Sequence, residues 1–176
     1  MIPSRDIRGF TLIEVLIVVA IIGILAAIAV PSLVRARIAG NEASAVGSLR
    51  ALNSAQGSYA ASAGKGAFSP LLATLAASCP GSTTGFVSPD LSTDPSVKSG
   101  YTITLAAATG STPGPNDCNG TPTEAAYYLT AVPLAGGLSG LRAFATTGGG
   151  TIFFDRLGAP PTEAAMAPGG GGTPIQ

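Results

Sequence analysis

The chain of 176 residues has no histidine, no tryptophan, two cysteines, and only nine basic and nine acidic side chains. Without histidine, acid–base chemistry near neutral pH would rest on carboxylates. Asp90, Asp94, Asp117, Glu124, Asp155 and Glu163 are scattered with no paired spacing, and the serine-rich stretches have no base beside them. Two thiols with no histidine cannot complete a four-ligand zinc shell unaided. Asp117 between Asn116 and Asn119 lacks the oxygen-ligand spacing of a calcium loop and reads as turn chemistry. The glycine runs at Gly148 and Gly169 lack the strand–loop–helix setting of a phosphate cradle. Formal net charge is zero with no basic cluster in the head, so nucleic acid finds no electrostatic footprint. No metal, cofactor or enzymatic activity is therefore expected. Tyr59, Tyr127 and Tyr128 read as core or interface aromatics.

What the chain does have is a long apolar run near its start. Residues 10–30 supply 21 predominantly apolar residues, the length of a membrane span. A nine-residue leader with Arg5, Asp6 and Arg8 precedes it. The run exceeds the 7–15 residues of a secretory signal core, and no A-x-A pattern closes it. Arg5 and Arg8 favour a cytoplasmic N-terminus, a bias weakened by Arg35 and Arg37 beyond the span. Glu14 is the one carboxylate in the run. A charge at the centre of a span costs about 2.5–3.5 kcal/mol and is usually retained for work with a partner. Four residues in, the cost is smaller but still calls for compensation.

Gly9-Phe10-Thr11-Leu12-Ile13-Glu14, followed by the apolar run, resembles the N-terminal motif of type IV prepilins and related pseudopilins. The resemblance is close over residues 8–37 and architectural beyond. It implies cleavage between Gly9 and Phe10 by a membrane-embedded prepilin peptidase on the cytoplasmic side. It also implies N-methylation of the new Phe10 amine and assembly into a helical filament, driven by partner ATPases and a membrane platform. A carboxylate four residues from that amine could pair with its own amine or with that of a neighbouring subunit, and the family pattern favours the neighbour. A pair of that kind sets alignment more reliably than it adds stability. A plain single-pass anchor, with Glu14 at the headgroups, is the bland reading of the same residues.

Gly23 and Pro31 both lower local helix stability, proline by about 3 kcal/mol and glycine by about 1 kcal/mol. Pro31 could simply end or kink the span. The family resemblance instead implies a weak point between the two residues that loses helicity in the filament. From residue 32 to about 59, Val34, Ile38, Ala45, Leu49, Leu52, Gln56 and Tyr59 recur at helical spacing on one face. Arg35, Arg37, Asn41, Glu42, Ser48 and Arg50 fall largely elsewhere. Gly64 and Gly66 around Lys65 are stop signals. A helix over residues 10–62 would be about 80 Å long at 1.5 Å per residue. Its first half has no globular partner in its own chain, which is the reason to expect a polymer.

Beyond Lys65 the composition turns to Gly, Ser, Thr, Pro and Ala with short alternating runs. Residues 101–105, 126–132, 142–147 and 151–155 read as strands, the last two joined by a turn at Gly148-Gly149-Gly150. Residues 69–77 read as a short helix. The fold class is α+β: a long N-terminal helix, transmembrane then amphipathic, packed on a small antiparallel sheet of three or four strands. The expected division is a cleaved leader (1–9), a span (10–30), an amphipathic helix (31–62), a head (63–159) and a loosely ordered Gly/Pro-rich tail (160–176). Cys79 and Cys118, in a domain placed outside the cytoplasm, read as a disulfide, with two free buried thiols as the alternative.

These readings converge on a structural subunit similar to type IV pilins: an inner-membrane, single-pass precursor that becomes a homo-oligomeric surface filament. A pseudopilin of a type II secretion system is the nearest alternative, although its usual acidic calcium loop is not evident. A monomeric membrane-tethered binding protein is the alternative from another class. Adhesion, motility and DNA uptake are not separable from sequence.

Overall fold

A computed structural model describes residues 9–175, so Arg5, Asp6 and Arg8 of the leader lie outside the described residues. The chain divides into two compact units, with the boundary between Ala36 and Arg37.

The first unit is the apolar part of helix α1, Leu12–Ser62. Its most apolar stretch averages a hydropathy of 3.0 with no residue buried, and the helix is long and apolar enough to cross a membrane. The helix runs unbroken through Gly23 and Pro31. Pro31 has no N–H to give the carbonyl one turn back, and Ser32 donates its hydroxyl to the Ala29 carbonyl in the same turn (2.8 Å).

The second unit holds the rest of α1 and a six-stranded antiparallel meander, in which each strand pairs with the next along the chain. The strands are β1 (Ser96–Lys98), β2 (Tyr101–Ala107), β3 (Tyr127–Pro133), β4 (Ala143–Thr147), β5 (Ile152–Asp155) and β6 (Thr173–Pro174). The four expected runs are β2 to β5, each shifted by a residue or two. The expected helix at 69–77 is α2, Leu72–Ala76.

The alternation in β2 sends Tyr101, Ile103 and Leu105 inward. The antiparallel register places Ile103 opposite Ala131 and Leu105 opposite Leu129 of β3. These side chains, with Tyr127, Phe144 and Ile152, form one core with Ala45, Leu49, Leu52 and Tyr59 of α1. The expected helix face is therefore correct in most of its members, with three corrections. Val34 is exposed, whereas Glu42 and Ser48, expected off the face, are buried. A charged residue reads as solvent-facing unless its partner is known, and the partner of Glu42 lies a hundred residues further on.

The sheet also exceeds the expected three or four strands. β1 and β6, with three and two residues, are too short to show any period. Residues 160–175, expected to be loosely ordered, carry α3 (Glu163–Met166) and β6. Thr162 caps α3 by accepting the Ala165 N–H, and β6 pairs with β5. At its other end α1 stops where Lys65 takes a left-handed conformation (φ 53°), and the Gly66 N–H returns to the Ala60 carbonyl.

Candidate functional site

Gly9 and Phe10 precede the first turn of α1 and are exposed. A Cβ on Gly9 would meet nothing within 4 Å, and its backbone is not in the left-handed region, so the fold of the chain itself does not demand glycine here. Thr11 caps the helix. Its hydroxyl oxygen accepts the Glu14 N–H at 3.3 Å and its O–H points to Glu14 Oε2 at 3.4 Å. Thr-x-x-Glu ahead of an apolar run is a capping-box pattern, here closed through the two side chains. Glu14 thus sits in the first turn, where the partial positive charge of the helix N-terminus favours a carboxylate. The capping role is legible in residues 11–14, since Thr-x-x-Glu ahead of an apolar run is a local pattern.

Phe10, Leu12, Ile13, Val15, Leu16 and Ile17 around this carboxylate are all exposed. Among the described residues, Glu14 meets no cation. The N-terminal turn is therefore a lone carboxylate set in uncovered apolar surface, four positions after Phe10.

The remaining acids among the described residues are occupied within the head. Asp117 is buried; its Oδ2 accepts from the Tyr59 hydroxyl (2.8 Å) and its Oδ1 from the N–H groups of Asn119 (2.8 Å) and Thr121 (2.7 Å). Burial pushes its pKa up, but the hydrogen bonds from Thr121, Tyr59 and Asn119 outweigh it, leaving the carboxyl below its ordinary value. Burial and the same carboxylate raise Tyr59 above a normal phenol. This is turn chemistry. Next to it, Cys118 is disulfide-bonded to Cys79, with Cα atoms 5.6 Å apart. The bridge ties the segment after α2 to the β2–β3 connection.

Of the other scattered acids, Asp90 pairs with Lys98 (2.6 Å) and Asp94 accepts the Ala73 N–H. Glu124 accepts from the Ser111 hydroxyl, Asp155 from the Leu157 N–H, and Glu163 from the Thr109 N–H and hydroxyl. Each closes a turn, caps or clamps.

The charged residue that sequence reasoning misplaced is Glu42. Its Oε1 accepts the N–H groups of Leu141 (2.9 Å) and Arg142 (3.1 Å), and its Oε2 takes Arg142 Nε (2.8 Å) and Nη2 (2.7 Å). Burial works against the charge, but the Leu141 N–H and the Arg142 guanidinium hold the carboxyl below its ordinary value. The guanidinium also lies over the rings of Phe144 and Phe154, 5.5 and 5.1 Å from their centroids. Only the spacing of Glu42 one turn from Ile38 and Ala45 hinted at an inward position.

Similarity to known proteins covers less than a third of the chain in each comparison. The family model for the prokaryotic N-terminal methylation motif matches residues 4–30. The type IV major pilin protein PilA of Myxococcus xanthus is 54% identical over 52 residues, 30% of this chain and 24% of the relative. The type IV wide pilus major component PilA4 of Thermus thermophilus is 58% identical over 38 residues, 22% of this chain and 29% of the relative. The matched stretch thus spans roughly a quarter of either relative. No solved structure matches the chain. The chain carries the prokaryotic N-terminal methylation motif over residues 4–30 and is similar over part of its length to type IV major pilins.

Proposed function

We propose that this chain is a structural, non-enzymatic subunit of a type IV pilus, polymerising through its N-terminal helix into a surface filament. The observation that carries the reading is the uncovered apolar length of α1, with a lone carboxylate in its first turn directly behind Gly9-Phe10. The precursor sits in the inner membrane with its N-terminus in the cytoplasm. A prepilin peptidase and N-methyltransferase cuts after Gly9 and methylates Phe10. Glycine at that site suits an enzyme that must grip the backbone closely, since the chain's own fold makes no demand there.

Glu14 then pairs with the Phe10 amine of a neighbouring subunit, removing two unpaired charges from an apolar filament core and fixing the stagger between helices. The stretch between Gly23 and Pro31, helical in the single chain, is where the helix gives way when subunits pack or the fibre is loaded. Assembly needs an ATPase and a membrane platform, which the pilus reading supplies.

N-terminal sequencing and mass analysis of fibres sheared from cells test the reading. We expect a chain that begins at a methylated Phe10. A chain that keeps its leader and stays monomeric in the membrane would instead establish a tethered protein. Glu14→Ala should leave cleavage intact and reduce fibre yield at least tenfold; normal yield would remove the pairing.

A further inference from the structure

The turn after Asp117 contains the one asparagine–glycine pair of the chain, Asn119-Gly120. Asparagine is a thermolabile residue, because the next backbone nitrogen can close a five-membered ring on its side-chain carbonyl carbon. A Cβ on the following residue obstructs that ring, and glycine has none. The surroundings leave the approach open as well. Both residues are exposed, and a Cβ on Gly120 would meet nothing within 4 Å. Among the described residues, the Asn119 side chain has a single long hydrogen bond, from Nδ2 to the Ser78 carbonyl (3.3 Å). The Gly120 N–H donates to the Asp117 carbonyl at 3.2 Å, whereas those of Asn119 and Thr121 reach the Asp117 carboxylate at 2.8 and 2.7 Å. The nitrogen that would attack is the most loosely held of the three. The other asparagines lack this opening. Asn41 and Asn53 lie inside α1, and Asn116 precedes Asp117, whose N–H is committed to the Thr121 carbonyl at 2.9 Å.

We propose that Asn119 is a site of self-modification in the folded head, losing its side-chain amide through a cyclic imide formed with Gly120. The Gly120 nitrogen gives its proton to a solvent base and bonds to Asn119 Cγ, and the Cγ–Nδ2 bond breaks to release ammonia. Water then opens the ring at either carbonyl, leaving aspartate or isoaspartate. Both products place a second carboxylate two positions from Asp117, where like charge disfavours the ionised pair. Isoaspartate also routes the main chain through the former side chain. That adds a methylene between the two N–H groups that grip Asp117 Oδ1. The same carboxylate accepts from Tyr59 of α1 through Oδ2, so a change at an exposed turn reaches the helix that the sheet packs on. The inference stands independently of the pilus reading.

The test incubates the full chain, folded in detergent at mildly alkaline pH, and follows the peptide carrying Asn119 by mass and by enzymatic methylation of isoaspartate. Conversion at Asn119 should run at least tenfold faster than at Asn41, Asn53 or Asn116, and Gly120→Ala should slow it at least tenfold. Gly120 has φ 74–79° neighbours in no other asparagine turn, and alanine is strained at its own φ of 79°, so a second variant is needed. Asn119→Gln, which would have to close a larger ring, should gain no acid at this position. A folded chain that keeps Asn119 intact while the urea-unfolded chain converts it overturns the proposal. Equal conversion at all four asparagines, or unchanged conversion in both variants, overturns it too.

Discussion

Helix α1 carries two lengths of sequence that obtain their stability from opposite sources. Up to Ala36 its apolar side chains are exposed on every face; beyond Arg37, Ala45, Leu49, Leu52 and Tyr59 are buried against the sheet. A helix that is apolar all round is a span or the core of something larger, whereas one with a single apolar stripe belongs to a globular unit. Gly40, Gly47 and Gly57 lower helix propensity in the second length, and tertiary packing there offsets the loss. Among the described residues, no side chain of the first length is buried, so tertiary packing gives it no comparable support. The same kind of substitution should therefore read out in different assays on either side of Ala36.

The largest contrast comes from trimming leucine-sized side chains. Leu52→Ala should destabilise the head by about 4 kcal/mol, as expected for a fully buried leucine. Ile22→Ala should leave head unfolding within about 0.5 kcal/mol of wild type. Denaturant melts of the full chain in detergent measure both, and a comparable loss from Ile22→Ala would break the distinction between the two lengths.

Removing the bridge with Cys79→Ser and Cys118→Ser should cost about 3 kcal/mol in the same melts, since it closes a loop between positions 39 apart. The apolar helix should keep its far-ultraviolet signal throughout.

Glu42→Gln comes next, at about 2 kcal/mol. The figure lies below that for breaking a fully buried pair because Arg142 remains 39% exposed and can turn to water. The pH dependence sharpens this prediction. Since the folded head holds Glu42 below its ordinary value, the carboxylate stabilises the head above about pH 4.5 and ceases to do so as pH falls through the lowered value. Asp117 acts in the same direction. Wild type should thus lose stability below about pH 4.5, and Glu42→Gln should lose measurably less over that interval; parallel curves would discard the assignment.

The smallest effect is local. Gly150 closes the β4–β5 turn with φ 74°, and its N–H bonds to the Thr147 carbonyl. Gly150→Ala should cost about 1 kcal/mol through backbone strain, without altering fibre yield.

How legible each part was in the sequence follows the range of the interactions involved. The apolar run, the four longer strands and the stop around Lys65 all repeat a pattern within a few residues, and the structure has them at nearly the expected positions. Thr11 as a cap was equally local and could have been read from Thr-x-x-Glu. β6 could not, because Thr173 and Pro174 are strand only by virtue of pairing with Phe153 and Phe154. Glu42 could not either: its burial requires the guanidinium of Arg142 and two backbone N–H groups beside it. The disulfide was legible from the count and setting of the cysteines, and Asp117 from its turn neighbours, whereas its bond to Tyr59 spans 58 positions. Local patterns fix elements; the polar pairs that join them are visible only when the chain has closed.

The clasp between Glu42 and Arg142 has a consequence for the order of events during biosynthesis. Its two halves are a hundred positions apart, so a growing chain presents the acid long before its basic mate is made. Contacts this distant in sequence form late. The clasp therefore closes only once the chain has been made as far as Arg142, a hundred positions beyond the acid it holds.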